Sequence, residues 1–337
     1  MNIRRPATLL VASALIIALF PACLLAGSVD IPAADVWRAL TGDATGRPVW
    51  GVIVRDIRVP MAVCAALSGM ALAISGLLMQ TLFHNPLAGP SIMGISSGSS
   101  LGVALVVLAG IGGGAAIGAA TLVGALAGAL AIMTLLLAMS VRVRSAAMLL
   151  IVGVLIGYLS SSAISLLNFF APQQSVHAFV LWGLGNFTSV TPAQLPLFAA
   201  LSLLFSALSA FYIKVLDALL LGERYAANSG VSLPRVRRGI MFVSGALTAI
   251  VTAWCGPIAF IGLAVPHIAR LALGTSRHAW LLPATALAGA AIGLLTALLS
   301  VLPSAWGILP VNAITPLLGV PVILYIILNG RKIAYFN

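Results

Sequence analysis

The chain has 337 residues, 61% hydrophobic and only 7% charged, with a formal net charge of +11. An ordinary soluble domain carries about 25% charged residues, so a soluble globular fold is excluded, whereas a bilayer solvates this apolar surface. No charged residue occurs between Arg58 and Arg142, between Arg144 and Lys214, or between Arg277 and Arg331. Each gap holds one or more stretches of the ~20 residues that cross ~30 Å of hydrocarbon as a helix. Continuous apolar runs lack the alternation of a membrane barrel. The expected fold class is an all-α polytopic membrane protein of about ten transmembrane helices, forming a single transmembrane domain over 1–337.

In chain order the spans are expected at 8–27, 60–82, 91–110, 115–139, 146–169, 194–213, 239–255, 257–272, 280–302 and 311–330. The first follows Arg4 and Arg5 and also has the shape of a cleavable signal peptide. Phe20-Pro21-Ala22 before Cys23 fits a lipidation site poorly. An uncleaved span is expected, since the rest of the chain is membrane-embedded too. Cys23, Cys64 and Cys255 lie scattered in apolar segments and read as small buried hydrophobes. Gly114/Gly118, Gly124/Gly128 and Gly289/Gly293 share the four-residue spacing of close helix contacts, within one subunit or between two. SGMALAIS at Ser68–Ser75 is similar to SGALTAIV at Ser244–Val251, and each leads to a Pro-containing break. The first break is His84–Gly94, preceded by Gln80 and containing Asn85, Pro86, Gly89 and Pro90; the second contains Gly256 and Pro257, with Pro266 and His267 further on. An inverted repeat over about 60–169 and 239–330 is expected from this similarity.

Placing the N-terminus inside and crossing ten times puts thirteen of the 17 Lys and Arg on the inner side with Asp217 and Glu223. The outer side then holds Arg38, Arg47, Arg55 and Arg58 against Asp30, Asp35, Asp43 and Asp56. All of the +11 sits on one side, as the positive-inside rule requires. Basic charge therefore reports topology, and no nucleic-acid partner is expected. With Arg270 counted in the inner set, the spans are read as carrying no Asp, Glu, Lys or Arg, unlike most ion-coupled pumps. Energy is thus expected to come from a partner.

The sequence has no G-x-x-x-x-G-K-[ST], H-E-x-x-H or C-x-x-C, and its four histidines are dispersed. No catalytic residues and no metal site are expected. The inner loop Lys214–Arg238, KVLDALLLGERYAANSGVSLPRVRR, has an apolar edge of Leu216, Leu219, Leu220 and Tyr225, with breaks at Gly222 and Gly230. A short amphipathic helix pair of this kind rests on lipid or docks in a partner's groove. The Glu223, Ala226, Ala227, Gly230 arrangement favours docking. Arg55 and Arg58 read equally well as head-group anchors or as contacts for a partner.

Several blocks together resemble the FecCD-type permeases, membrane subunits of ABC importers for iron(III)-siderophores, haem and cobalamin. They are RDIRVP (Arg55–Pro60), SGMALAISGLLMQTLFHNPLAGPSIMGISSGSSLG (Ser68–Gly102), LIVGVLIG (Leu150–Gly157), LWGLGNF (Leu181–Phe187), LGERYAANSGV (Leu221–Val231), GPIAFIGLAVPHIARL (Gly256–Leu271) and LLGVPVILYIIL (Leu317–Leu328). The resemblance implies an inner-membrane subunit that pairs with a second copy of itself, its termini cytoplasmic, the translocation path along the dimer interface. It implies two separate ATP-binding subunits, which hold ATP and Mg, docked on the cytoplasmic loop at Leu221, Gly222, Glu223, Ala226, Ala227 and Gly230. No cofactor is implied in this chain. A periplasmic binding protein would meet Arg55 and Arg58, Arg142 and Ser145 would lie near the inner gate, and Ala171–Gln194 would hold a short helix at the outer mouth. Val301, Ile308 and Asn312 depart from the family's Arg, Glu and Gly, and His84 stands where Arg is common. The competing classes are an ion-coupled secondary transporter and a membrane-embedded lipid-modifying enzyme, and the latter normally shows acidic metal clusters.

Overall fold

The computed structural model describes residues 4–110, 117–143, 145–302 and 307–328, and all regular structure among them is helical. Gly114, Arg144 and Arg331 lie outside the described residues, as does Lys332, one of the thirteen inner basic residues. The chain begins with α1 (Arg4–Leu25), α2 (Ala33–Thr41) and α3 (Pro48–Val52), and a π-helical turn at Ile53–Arg58 runs directly into α4 (Val59–Leu82). Next come α5 (Ile95–Val107), α6 (Ile117–Arg142), α7 (Ala146–Phe170), α8 (Gln173–Gly183) and α9 (Leu195–Ser209). Two short helices, α10 (Ile213–Leu220) and α11 (Glu223–Asn228), lead to α12 (Leu233–Cys255), α13 (Ile261–Leu273), α14 (His278–Val301) and α15 (Val311–Leu328).

Among the described residues, seven helical segments are long and apolar enough to cross a membrane, and α5, α13 and α15 are shorter apolar helices. Burial sorts them. The segments holding α4, α12 and α14 are 78%, 83% and 61% buried, while those of α1, α6, α7 and α9 are 17–22% buried. The first three form the centre and the others surround it with their leucines and valines facing outward, as lipid-solvated helices do.

Small residues let the central helices touch. A Cβ on Gly69 of α4 would overlap the Gly289 carbonyl of α14, and one on Gly293 would overlap the Ala65 carbonyl. Gly76 meets Gly262 of α13 in the same way, and Gly98 and Gly102 of α5 meet Gly128 and Gly124 of α6. The Gly124/Gly128 and Gly289/Gly293 spacings thus serve contacts within the chain. Between such backbones dispersion and packing supply the attraction, because lipid is as apolar as the helices.

The two similar segments also pack together. Ser75 and Ser244 hydroxyls lie 2.7 Å apart, Ser75 reaches Thr248 at 2.9 Å, and each serine bonds the other's carbonyl, at 3.0 and 3.2 Å. Towards the other end of the same antiparallel contact, the Cys64 and Cys255 sulfurs are 3.3 Å apart. All three cysteines are free and buried.

Candidate functional site

Hydrogen bonds divide the bundle into two ends. One gathers the start of α1, the end of α4, α10, α11 and the α13–α14 turn, where Thr8 bonds the Ala272 carbonyl at 3.3 Å. Most of the basic residues lie here. At the other end the α12–α13 break meets the start of α15, and α2 and α3 pack on each other and on the π-helical turn before α4.

The loop of interest lies at the basic end. Leu216, Leu219 and Ala226 are buried in the bundle, while Leu221, Tyr225, Ala227 and Gly230 are exposed. Gly222 and Gly230 take φ of +105° and +85°, values open to glycine without steric cost. They frame α11 as a protruding turn. Glu223, at its first position, accepts from the Arg237 Nη2 at 2.9 Å, which ties α11 to the start of α12. The same two residues line a groove of about 330 Å³ with Ser140, Val141, Leu233, Pro234 and Arg238. The end of α6 is thereby brought beside the loop. Arg142 closes α6 and is exposed, and Ser145 caps α7 by accepting from the Met148 N–H at 3.4 Å.

Sequence reasoning missed what holds α10. Asp217 Oδ1 accepts from the backbone N–H of His278 at 2.7 Å and from its ring Nδ1–H at 2.8 Å. His278 Nε2 then lies 3.0 Å from the Thr81 hydroxyl in the last turn of α4. His84, at φ +47°, puts Nε2 2.6 Å from the Leu219 carbonyl near the end of α10. Asp217 and Glu223 were visible as the inner acids, but sixty-odd residues separate Asp217 from its histidine, and no spacing rule links them.

A second cluster fills the centre of this end. Gln80 is fully buried, accepts from Arg270 Nη1 at 2.7 Å and donates Nε2 to the Leu263 carbonyl at 3.1 Å. His267 Nε2 donates to the Pro86 carbonyl at 2.8 Å. Arg270 is 2% exposed within α13, so the reading that the spans hold no ionisable side chain is corrected here. Arg270 is sequestered by polar partners at the end of a short helix. The first break is satisfied locally, Asn85 Oδ1 accepting from the Leu87 N–H at 2.9 Å, and Gly89 and Pro90 are buried against the bundle.

The second break, Gly256–Phe260, is irregular backbone covered by protein. Asn312 Nδ2 donates to the Pro257 and Gly183 carbonyls at 2.6 and 3.2 Å, and its Oδ1 accepts from the Ala259 N–H at 3.1 Å. The Asn186 N–H donates to the Cys255 carbonyl at 2.8 Å. Pro266 lies inside α13, after that helix has started at Ile261.

The arginine pair at this end is divided. Arg55 is exposed, its Nε donating to the Gly51 carbonyl at 3.3 Å. Arg58 is 4% exposed and gives its guanidinium to the Leu24 and Leu25 carbonyls at 2.7 and 3.0 Å, and to the Val29 carbonyl. Val301 and Ile308 line a neighbouring cavity of about 230 Å³ with Arg58 and Thr188. No group of three or more His, Cys, Asp or Glu able to hold a metal occurs among the described residues.

A family model described as the FecCD transport family matches residues 15–329. The chain is 33% identical to the hemin transport system permease protein HmuU of Yersinia pestis over 308 residues, 91% of this chain and 90% of that one. It is 34% identical to the vitamin B12 import system permease protein BtuC of Shigella boydii over 311 residues, 92% and 93% of the two chains. A solved structure described as an inward-facing conformation of a metal-chelate type ABC transporter superposes with a TM-score of 0.83 at 27% identity, covering 97% of this chain and 99% of that one.

Proposed function

The chain belongs to the FecCD transport family, as the transmembrane permease of an ABC importer, and from that premise we propose its cargo, topology and partners. The cargo is a bulky metal chelate, an iron(III)-siderophore first and haem or cobalamin next. The observation that carries this is the near-full-length match to permeases named for hemin and vitamin B12, together with a structural neighbour named for metal chelates. Members of this family are transport permeases and not enzymes, so ATP and Mg belong to partner subunits on this reading.

The proposed topology has ten spans, with α5, α13 and α15 completing the seven long ones, and the basic end in the cytoplasm of a bacterial inner membrane. Clustering of Arg142, Lys214, Arg224, Arg235, Arg237, Arg238 and Arg277 near the α11 turn supports that orientation. Two ATPase subunits would each receive one α11 turn, through Leu221, Gly222, Glu223, Ala227 and Gly230, while Ala226 faces the bundle and holds the turn in place. Exposed Leu221 and Tyr225 beside buried Ala226 give the turn an anchored base and a free apolar tip. A second copy of the chain would cover α7, whose exposed side interleaves Ser161, Ser162 and Ser165 with Tyr158, Leu159 and Phe169. Hydroxyls on an outer helix face suit a protein neighbour or a wet pathway better than acyl chains. Arg55 would meet a periplasmic binding protein, with Arg142 and Ser145 near the inner gate and the two breaks flanking the conduit.

The test is reconstitution with the ATPase and purified binding proteins loaded in turn with ferric siderophore, haem or cobalamin. The proposal expects one metal-chelate-loaded protein to stimulate ATP hydrolysis and uptake. Uptake by the permease alone, driven by an ion gradient, would overturn it.

A further inference from the structure

We propose that Asp217, His278 and Thr81 form a strut that carries movement of the α10–α11 loop into α14 and α4, making Asp217 and His278 positioning residues for transport. This rests on the reading that the loop docks on an ATPase, and it adds the route by which docking reaches the pathway.

Leu216 and Leu219 bury their side chains in the bundle, but apolar burial is non-directional and lets a short helix slide. Charge-assisted hydrogen bonds fix distance and angle. The Asp217 carboxylate sits on the first turn of α14, where unsatisfied N–H groups and the helix dipole favour an anion, and it takes both the backbone and the ring N–H of His278. Accepting at Nδ1–H leaves Nε2 as the acceptor for the Thr81 hydroxyl in a neutral ring. One fully buried imidazole therefore spans from α10 to α4 while its own backbone begins α14.

A second tie runs parallel to the first. The Leu219 carbonyl meets His84 just beyond α4, so α10 is held at its middle and near its end. Past these ties, α4 and α14 are in backbone contact at Gly69, Gly289 and Gly293. A helix pair meeting through backbone cannot absorb a push by rearranging side chains. Displacement of α10 must then move α4 and α14 as one body, the pair at the centre of the bundle.

The experiment uses the reconstituted complex with its ATPase and loaded binding protein, and reads uptake per ATP hydrolysed. Asp217→Ala removes both charge-assisted bonds to His278, and His278→Ala removes the ring bond to Asp217 together with the bond to Thr81, so in each the ratio should fall about tenfold or more, with ATPase co-purification and hydrolysis retained. The double variant should be no worse than either single one, because both break the same link. Asp217→Asn keeps an acceptor for the His278 N–H and should fall between. Thr81→Val removes one hydroxyl and, should the alanine variants fail to insert, gives the readout by itself as a smaller fall in the ratio. An unchanged ratio overturns the strut, and so does a proportional fall in uptake and hydrolysis, which marks a merely structural role. The docking reading fails separately, when Ala227→Arg keeps its ATPase.

Discussion

Ala227→Arg separates docking of the loop from folding of the loop. Ala227 is exposed on α11 next to Ala226, which is fully buried. An arginine there projects away from the bundle and should change permease stability by no more than about 0.5 kcal/mol. In an ATPase groove the same guanidinium would be a desolvated charge without a partner, costing about 4 kcal/mol, or about a thousandfold in affinity. Gly230→Arg is a poorer probe. Its Cβ would meet open space, but φ of +85° costs a side chain roughly 1–2 kcal/mol. It also lies in the turn that closes α11, where the Gly230 N–H donates to the Ala227 carbonyl and the Val231 N–H to the Ala226 carbonyl. Gly230→Asn, which tolerates the left-handed region, is the matching control and should dock. The assay is co-purification with the ATPase from detergent, with uptake in vesicles beside it. Ala227→Arg that binds its ATPase at the wild-type ratio and transports normally would refute the reasoning.

Two further outcomes follow from packing and hydrogen bonds. Asn312→Ala leaves two carbonyls and one N–H without its amide, so at about 1 kcal/mol per bond it should destabilise the permease by about 3 kcal/mol in detergent unfolding, and Asn312→Asp should restore only the bond to Ala259. Gly76→Leu drives a side chain into the Gly262 carbonyl and should cost ~1–3 kcal/mol or more, read as loss of the folded fraction by size-exclusion chromatography, whereas Gly118→Leu meets open space and should behave as wild type.

How much the sequence disclosed depends on the range of each signal. Hydropathy acts locally, and each expected span contains a helix, although α5 begins only after a 3-10 turn at Pro90–Met93 and left-handed Gly94, and α13 only after irregular backbone that ends at Phe260 with φ of +66°. Glycine spacing named faces but not mates: the partners of Gly289 and Gly293 lie on α4, more than two hundred residues earlier. Asn312 stood out as a departure from a family glycine. Its use became visible only when α15 met the α12–α13 break, where an amide can both donate and accept. Arg270 was hidden by the assumption that a charge near a span end lies in water, because its partner Gln80 is on a different helix.

The arginine pair shows the same limit at closer range. Three residues apart, Arg55 and Arg58 would share a face of an α-helix. The turn that carries them is π-helical over Ile53–Arg58, with i→i+5 bonding, and the pair diverges. Arg58 turns inward onto the last carbonyls of α1, the groups a helix C-terminus leaves unsatisfied. Gly27 lets it approach, since a Cβ there would lie 2.8 Å from Arg58 Nη2. Reversing the two charges should therefore give different phenotypes. Arg58→Glu replaces a donor of three hydrogen bonds with an acceptor facing carbonyls, so stability and membrane insertion should fall at any ionic strength. Arg55→Glu changes an exposed charge, whose reach is screened over ~8–10 Å in physiological salt and which sets association rate more than affinity. Its uptake defect should shrink at high salt, fold and basal ATPase activity should persist, and a binding protein with rim carboxylates exchanged for arginine should restore part of the rate. A salt-independent loss of insertion at Arg55 would instead make it a second anchor of the α1–α4 end.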